Sequence, residues 1–278
     1  MLKQRVITGL IMAGLFIAGI VFLPVQALAA VFALLILAGG WEWSRMAGWD
    51  SIVSRVLFVL VLAGMLLALY VHCQLGGTPT RELVQPVLGL ACLWWSFALL
   101  WVKGYPASAA MWGNRFMRSV IGLLILAPAW AAAVYLLSFP RGGALVVTMV
   151  VIVAAADIGA YFAGKSLGKH KMAPDVSPAK TWEGFWGGVL AVVLVGVLLW
   201  YMLPAHNAHV GLMSVLAIAL ATSLASVVGD LSVSMVKRDS GTKDSGSILP
   251  GHGGVLDRLD SLCGAAPVFA LGLLLAGW

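Results

Sequence analysis

Long uninterrupted runs of apolar residues recur along the chain, separated by short segments that carry most of the charged side chains. Runs of about 17–25 apolar residues are long enough for a helix to cross the hydrocarbon core of a bilayer. Because the runs are continuous and do not alternate between apolar and polar positions, membrane-spanning strands are disfavoured. The pattern predicts nine transmembrane helices, at residues 6–23, 25–41, 56–73, 83–102, 117–137, 143–164, 184–203, 210–236 and 257–278.

The composition indicates that lipid is the solvent of this chain. Hydrophobic residues make up 62% of the 278 residues and charged residues only 10%, whereas charged residues make up about 25% of an ordinary soluble domain. A soluble core of this size cannot hide that much apolar surface. We therefore predict an all-α polytopic membrane protein, and we exclude nucleic-acid-binding, coiled-coil and collagen-like classes.

The first apolar run has two interpretations. It follows Lys3 and Arg5 and precedes Ala27-Leu28-Ala29, an arrangement that also occurs in cleaved secretory signal peptides. The run extends from residue 6 to residue 23, whereas the apolar region of a signal peptide usually has about 7–15 residues. We therefore expect this run to be a helix that the protein retains.

The distribution of charge predicts the orientation of the helices. With nine helices and a cytoplasmic N-terminus, every lysine and arginine except Arg81 and Arg141 falls in a cytoplasmic segment, as the positive-inside rule requires. Eight of the eleven acidic residues lie from Asp157 onward. We therefore predict one membrane domain with a scaffold of about five helices in residues 1–140 and a second region of about four helices in residues 141–278, and any catalytic site is expected in the second region on the cytoplasmic face.

The eighth run carries a stripe of polar residues on an otherwise apolar helix. The spacing of four puts its members on one helix face: Thr222, Ser226, Asp230, Ser234 and Arg238. A carboxylate inside a spanning helix costs about 2.5–3.5 kcal/mol even on the most favourable scale. Asp230 must therefore face either a lysine or arginine in an internal ion pair, or a metal or substrate in a wet cavity. The carboxylates that follow in the sequence favour the metal or substrate site.

The segment after the eighth run combines glycines with acidic and basic residues. The glycines precede the last helix, whose N-terminal amides and dipole are suited to binding an anion. Asp257 and Asp260 are three residues apart and share one helix face, where their oxygens can bind Mg²⁺. This combination predicts a site for a polyphosphate with Mg²⁺. The basic residues around it are Lys237, Arg238, Lys243, His252 and Arg258.

A second polar region connects the sixth and seventh runs. One face at the end of the sixth run carries Asp157, Tyr161 and Lys165. Residues 164–184 then supply glycines, lysines and hydroxyl groups, which are suited to phosphate contacts, although the GxxxxGK[ST] frame of a Walker A loop is absent. Ser177 is interpreted equally well as a helix N-cap, with Lys180 and Thr181 entering the seventh helix.

Two further groups of residues carry no predicted chemistry. The three cysteines, Cys73, Cys92 and Cys263, form no CxxC motif and are scattered in apolar segments, which favours small buried residues over a disulfide or zinc site. The run Trp41-Glu42-Trp43 is typical of an aromatic belt at the membrane interface with an isolated charge.

Residues 234–260, with the sequence SMVKRDSGTKDSGSILPGHGGVLDRLD, resemble the signature of the phosphatidate cytidylyltransferase (CDP-diacylglycerol synthase) family. The resemblance extends to Gly229-Asp230, to residues 157–169 and to SPAKTWEG at 177–184, while the first 140 residues are similar only in general character. It implies conversion of CTP and phosphatidate to CDP-diacylglycerol and pyrophosphate with Mg²⁺, by a homodimer in the cell (inner) membrane. This chain has Val233 where relatives often carry glutamate, so one possible carboxylate is missing.

The resemblance also implies roles for particular residues. Asp230 and Asp257 are expected to bind one or two Mg²⁺ ions, and Asp260 is a third carboxylate beside them. The CTP phosphates are assigned to Lys243, His252, Gly253, Gly254 and Arg258. Either substrate phosphate is assigned to Lys237, Arg238, Lys180 and Ser177, and the remaining candidate substrate contacts are Thr181 and Asp244. Because the phosphate of phosphatidate is already ionised, catalysis requires positioning and charge neutralisation and no strong general base.

Three alternative functions predict different features. An enzyme that uses CTP on another lipid phosphate would have nearly the same sequence, and only a panel of substrates separates the two. A CDP-alcohol phosphatidyltransferase should carry a DGxxAR run, which this chain lacks. A transporter could use Asp157 and Asp230 as an ion path, but carriers are commonly built from two related halves, and here the polar content is confined to one half.

Overall fold

The computed structural model describes residues 2–203, 210–249, 251 and 253–278, with side chains from residue 7 onward. All nine predicted helices are present, with ends that differ from the prediction by a few residues. The helices are α1 (Leu2–Phe22), α2 (Val25–Met46), α3 (Ile52–His72), α4 (Arg81–Gly104), α5 (Ala109–Trp112), α6 (Arg115–Leu137), α7 (Gly142–Leu167), α8 (Trp182–Tyr201), α9 (Leu212–Asp239) and α10 (Leu256–Leu275), and the strands are β1 (Lys171–Ala173) and β2 (Ser177–Thr181).

The lengths and composition of these helices confirm an all-α polytopic membrane fold. Within the described residues, eight helices are long and apolar enough to cross a membrane, namely all except α1 and α5, and Ile7–Phe22 of α1 form a shorter apolar helix. Large apolar side chains such as Leu67, Leu100 and Leu194 are exposed on the outer surface, as expected where lipid is the solvent. Which ends of the helices face the cytoplasm stays a prediction.

The interior is built around α6 and α10. Most of α6 is buried, and this helix packs against α2, α3, α4, α7 and α10. Helix α10 also packs against α9. Helices α7 and α8 form the most extensively packed pair. The candidate metal ligands Asp230 on α9 and Asp257 on α10 therefore lie on helices that pack directly against the first half.

Close approach of the backbones explains the glycines between α7 and α8. A β-carbon on Gly188 would lie 2.7 Å from the carbonyl oxygen of Ala156, and one on Gly184 would lie 2.8 Å from that of Ala160. Both distances are well below van der Waals contact, so only glycine allows the two helices to pack this closely. The tight pairing fixes the position of the polar segment that connects them.

That connecting segment is an antiparallel hairpin of β1 and β2, which the sequence pattern did not predict. The interpretation of Ser177 as a helix N-cap is wrong, because Ser177 begins β2 and pairs with Ala173. The N-cap of α8 is Thr181, whose hydroxyl accepts a hydrogen bond from the amide of Gly184 at 3.2 Å. The short strand escaped prediction because it is too brief and too polar to show an alternating pattern.

The Thr181 cap leads to a stability prediction. Thr181→Ala is expected to lower the free energy of unfolding by about 1 kcal/mol, the usual cost of a lost N-cap, measured as a lower thermal midpoint in detergent. Thr80→Ala is the matched control, because Thr80 occupies the N-cap position of α4 but its side chain makes no capping hydrogen bond. Equal midpoints for both variants would contradict the assignment of the cap.

One end of the helix bundle is held together by contacts between distant segments. The indole of Trp43 on α2 donates to the carbonyl of Arg118 on α6 at 2.8 Å. The Arg118 side chain donates to the carbonyl of Met46 at 3.0 Å and forms an ion pair with Asp239 at the end of α9. The interpretation of Trp43 and its neighbour Glu42 as an interface belt is therefore wrong, since both side chains are buried in the protein.

Candidate active site

A lysine and two carboxylates meet where α9 ends and α10 begins. The Lys237 ammonium lies 2.9 Å from Oδ1 of Asp257 and 3.8 Å from Oδ2 of Asp260. Only 7% of Lys237 is exposed, so the three charges interact in a largely water-excluded environment. The shared helix face predicted for Asp257 and Asp260 is confirmed, because both carboxylates reach the same ammonium.

A second ion pair lies beside this cluster and joins the hairpin to α9. The Lys180 ammonium is 2.5 Å from Oδ2 of Asp230, and the hydroxyl of Ser234 donates to Oδ1 of Asp230 at 3.1 Å. The internal ion pair considered for Asp230 is therefore present. The Asp230 and Lys180 side chains are each 27% exposed, so this pair remains open to a ligand. We call the five charged residues Lys180, Asp230, Lys237, Asp257 and Asp260 the polar cluster.

The charges of the polar cluster favour a cation. Three carboxylates face two ammonium groups, which leaves an excess of one negative charge when all five are ionised. Within the described residues, no three His, Cys, Asp or Glu side chains are arranged as a metal cage. Mg²⁺ does not require such a cage, because it is usually held by one or two carboxylates together with substrate phosphates and water. Asp230 and Asp257 therefore supply carboxylate oxygens of the kind that Mg²⁺ binds, and their role as its ligands stays a prediction.

The amides at the start of α10 are already bound by the protein's own carboxylates. The amide of Gly254 donates to Oδ2 of Asp257 at 2.9 Å, and the amides of Val255 and Leu256 donate to Glu42 at 3.0 Å and 2.9 Å. The predicted anion site at this helix N-terminus does exist, but its anions are two side chains of the protein. In this structure these three amides are therefore occupied, and the CTP contact assigned to Gly254 stays a prediction.

Gly253 occupies a backbone conformation that other residues rarely adopt. Its φ is +82°, and a β-carbon there would lie 2.8 Å from Oδ2 of Asp257. The residue closes a short turn in which the amide of Leu249 donates to the carbonyl of Gly253 at 2.9 Å. This glycine is required by the turn and by Asp257, so its presence does not depend on a nucleotide.

Glu42 is the functional candidate that the sequence reasoning missed. It lies on α2, in the half assigned to scaffold, and is 3% exposed. Besides the two α10 amides, its carboxylate accepts a hydrogen bond from the hydroxyl of Ser245 at 2.8 Å. The signal that could have found it is the same one that identified Asp230, since a carboxylate within an apolar run must have partners.

The remaining predicted residues are less tightly grouped. Arg238 donates to the carbonyl of Val176 at 3.1 Å and so ties α9 to the hairpin. Ser177 lies in β2, Thr181 caps α8, and His252 lies outside the described residues. The exposed candidates, which the structure does not bring into the polar cluster, are Lys243, Asp244 and Arg258.

Two cavities flank the hairpin close to the polar cluster. One of about 200 Å³ lies between α7, α8 and α9, and both Asp157 and Lys180 line it together with apolar side chains such as Val227. The other, of about 430 Å³, lies between α4, the hairpin and α9 and has Tyr105 and Leu231 in its wall. Lys180 therefore lines the first cavity and also contacts Asp230. Through Lys180, the apolar cavity adjoins the polar cluster.

Comparison with known proteins decides the family. The sequence matches the model of the cytidylyltransferase family over residues 3–276. The chain belongs to this family. Cytidylyltransferases are nucleotidyl-transferring enzymes, so the polar cluster is the candidate active site of an enzyme.

Several relatives of this cytidylyltransferase match over nearly their whole length. A phosphatidate cytidylyltransferase from Pseudomonas aeruginosa is 45% identical, with 100% of this chain and 99% of the relative covered. One from Haemophilus influenzae is 36% identical over 97% of this chain and 98% of the relative. One from Mycobacterium bovis is 30% identical over 95% of this chain and 86% of the relative. The similarity therefore includes the first half of the chain, which lies outside the signature and resembles the family only in general character.

Proposed function

We propose that this protein transfers the cytidylyl group of CTP to phosphatidate, which yields CDP-diacylglycerol and pyrophosphate. The observation that carries the proposal is the full-length similarity to relatives named phosphatidate cytidylyltransferase. The polar cluster supports it, because phosphoryl chemistry requires positive charge and a metal site near the phosphates. A cluster at the end of membrane helices is also where a lipid headgroup and a soluble nucleotide can meet.

In the proposed reaction, a phosphate oxygen of phosphatidate attacks the α-phosphorus of CTP. A new phosphorus–oxygen bond forms, the bond between the α-phosphorus and the bridging oxygen breaks, and pyrophosphate leaves with that oxygen. The attacking phosphate is already ionised, so no residue needs to remove a proton. The chain contributes orientation of the two substrates and compensation of their negative charge.

Asp230 and Asp257 are the residues that would hold Mg²⁺. When bound, the metal supplies neutralisation of negative charge on the CTP phosphates and on the leaving pyrophosphate. Lys180 and Lys237 contact these carboxylates, and we assign their ammonium groups to the substrate phosphates. Lys180 also lines the 200 Å³ cavity, which suits it to the phosphate of a lipid whose apolar part contacts the cavity wall.

The location and assembly of the protein form part of the proposal. CTP is a cytoplasmic metabolite, and the positive-inside pattern supports the proposal that the polar cluster lies on the cytoplasmic side of the cell (inner) membrane. The homodimer implied by the resemblance and the division of the chain at residues 140 and 141 stay predictions.

The reaction is tested with CTP labelled at either of two positions. Purified protein in detergent is incubated with Mg²⁺ and phosphatidate, and chloroform-extractable label is counted. The proposal expects label from α-³²P-CTP in the lipid phase and label from γ-³²P-CTP only in released pyrophosphate. Lipid labelled from γ-³²P-CTP would indicate a kinase instead, and label that depends on another lipid phosphate would indicate the related enzyme considered above.

The same assay tests the metal. Excess EDTA is expected to abolish lipid labelling, and Mg²⁺ added beyond the chelator is expected to restore it, because the phosphate charges would otherwise be uncompensated. Undiminished labelling in EDTA would remove Mg²⁺ from the proposed mechanism. Thermal unfolding in EDTA serves as the control that the protein remains folded.

A further inference from the structure

We propose that Glu42 is a positioning residue for Asp257, so that the first half of the chain sets the geometry of the active site. This inference rests on the proposed function, since it assigns a role within that reaction. Glu42 belongs to α2 and contacts residues more than 200 positions later in the chain. It touches neither candidate substrate pocket, so its effect must pass through other residues.

The carboxylate of Glu42 is buried and accepts three hydrogen bonds. Oε1 accepts from the amide of Val255 at 3.0 Å, and Oε2 accepts from the amide of Leu256 at 2.9 Å and from the hydroxyl of Ser245 at 2.8 Å. Across the described residues it takes part in no ion pair. The positive end of the α10 dipole and these three donors therefore compensate its charge.

The residues that Glu42 holds are adjacent to the groups that orient Asp257. Oδ2 of Asp257 accepts from the amides of Ser245 and Gly254, both at 2.9 Å. Ser245 therefore contacts Glu42 through its hydroxyl and Asp257 through its amide, and Gly254 precedes the two amides that Glu42 binds. Displacement of Glu42 would release both sides of the loop that fixes the Asp257 carboxylate.

Two glycines of the loop fit around Glu42. A β-carbon on either Gly246 or Gly254 would collide with the Glu42 carboxylate. Both glycines lie inside the signature segment at residues 234–260. The contact with Glu42 on α2 therefore explains why glycine occupies these two positions of the segment, without any nucleotide contact.

A simple helix cap would not require this arrangement. Ser, Thr, Asp or Asn at the N-cap position would satisfy the first amides of α10 locally, but that position holds Val255, whose side chain cannot cap. The protein instead buries a carboxylate from a distant helix, at a site where an unpartnered carboxylate would be costly. The arrangement couples the start of α10, and with it Asp257, to α2.

The test compares Glu42→Gln with Glu82→Gln, the same substitution at an exposed glutamate on α4. Glutamine retains the shape, but its NH₂ group opposes an amide or hydroxyl donor. We expect Glu42→Gln to lower kcat by about 10- to 100-fold, as a small misplacement of a catalytic group does, and to raise the Mg²⁺ concentration needed for half-maximal rate several-fold. Glu82→Gln is expected to match the wild type in both.

Hydrogen exchange provides a readout that does not depend on turnover. In Glu42→Gln, the amides of residues 254–256 are expected to exchange faster, while those of α6 stay protected. Unchanged kcat, Mg²⁺ requirement and exchange in Glu42→Gln would overturn the proposal, and so would a lower thermal midpoint with kcat and the Mg²⁺ requirement unchanged, because that result assigns Glu42 to stability alone. If the wild type labels no lipid phosphate, the proposed function fails by itself, and unchanged exchange in Glu42→Gln would then also overturn the link to the loop.

Discussion

Asp257→Asn is expected to abolish measurable cytidylyl transfer while the protein stays folded and inserted in the membrane. The asparagine oxygen can still accept the hydrogen bonds of Ser245 and Gly254, so the loop keeps its partners. The negative charge that faces Lys237 and the proposed metal is lost. We expect the rate to fall at least about 100-fold, the size of effect seen when one preorganised electrostatic group is removed, measured as initial labelling of phosphatidate.

The control for Asp257→Asn is Asp50→Asn, the same substitution in an exposed pair with Arg115 at 3.8 Å. It is expected to leave the rate unchanged, because exposed ion pairs contribute little. A near-normal rate in Asp257→Asn would remove Asp257 from the metal site. A lost rate together with a strongly lowered thermal midpoint would assign the residue a structural role.

Lys237→Met is expected to cause the largest loss of stability among the single substitutions in the polar cluster. It leaves the Asp257 and Asp260 side chains, which are only 6% and 11% exposed, without their shared counter-ion. Removing one partner of a buried ion pair typically costs about 3–5 kcal/mol. The loss is measured as a lower thermal midpoint in detergent, and Lys103→Met at an exposed position of α4 is the matched control.

A double variant separates the charge of Lys237 from its packing. If the uncompensated carboxylate causes the loss, Lys237→Met combined with Asp257→Asn should be more stable than the sum of the two single effects predicts, by at least about 1 kcal/mol. Additive losses would show that Lys237 stabilises the protein through packing of its aliphatic chain. An unchanged midpoint in Lys237→Met would contradict the buried ion pair itself.

Helices were predictable from the sequence because their signal is local. Each apolar run is long enough to define its own helix, so the nine long helices among the described residues agree with the prediction. The pairing of Asp257 and Asp260 was predictable for the same reason, since a spacing of three fixes a shared face. The lysines that contact Asp230 and Asp257 were named as candidates, but no local pattern tells which carboxylate each one pairs with.

Contacts between distant segments account for what the sequence did not reveal. Glu42 has no partner near it in the chain, and its role depends on α2, α6 and α10 packing together. The hairpin of β1 and β2 contacts α8 and α9, and its polar sequence carries no strand periodicity. The free amides expected at the start of α10 were a reasonable local prediction that a carboxylate from another helix overrode.

The dependence of α10 on Glu42 also has a consequence for biogenesis. A ribosome produces α2 long before residues 245–256, so Glu42 enters the bilayer without any of its three donors. Glu42 lies four residues before Met46, the last residue of α2, and we expect water at that end of the helix to solvate it in the interim. Only insertion of the last helix completes this contact. A nascent chain interrupted before that step would leave the Glu42 carboxylate hydrated at the end of α2 and not bound by the protein, which distinguishes it from the finished protein.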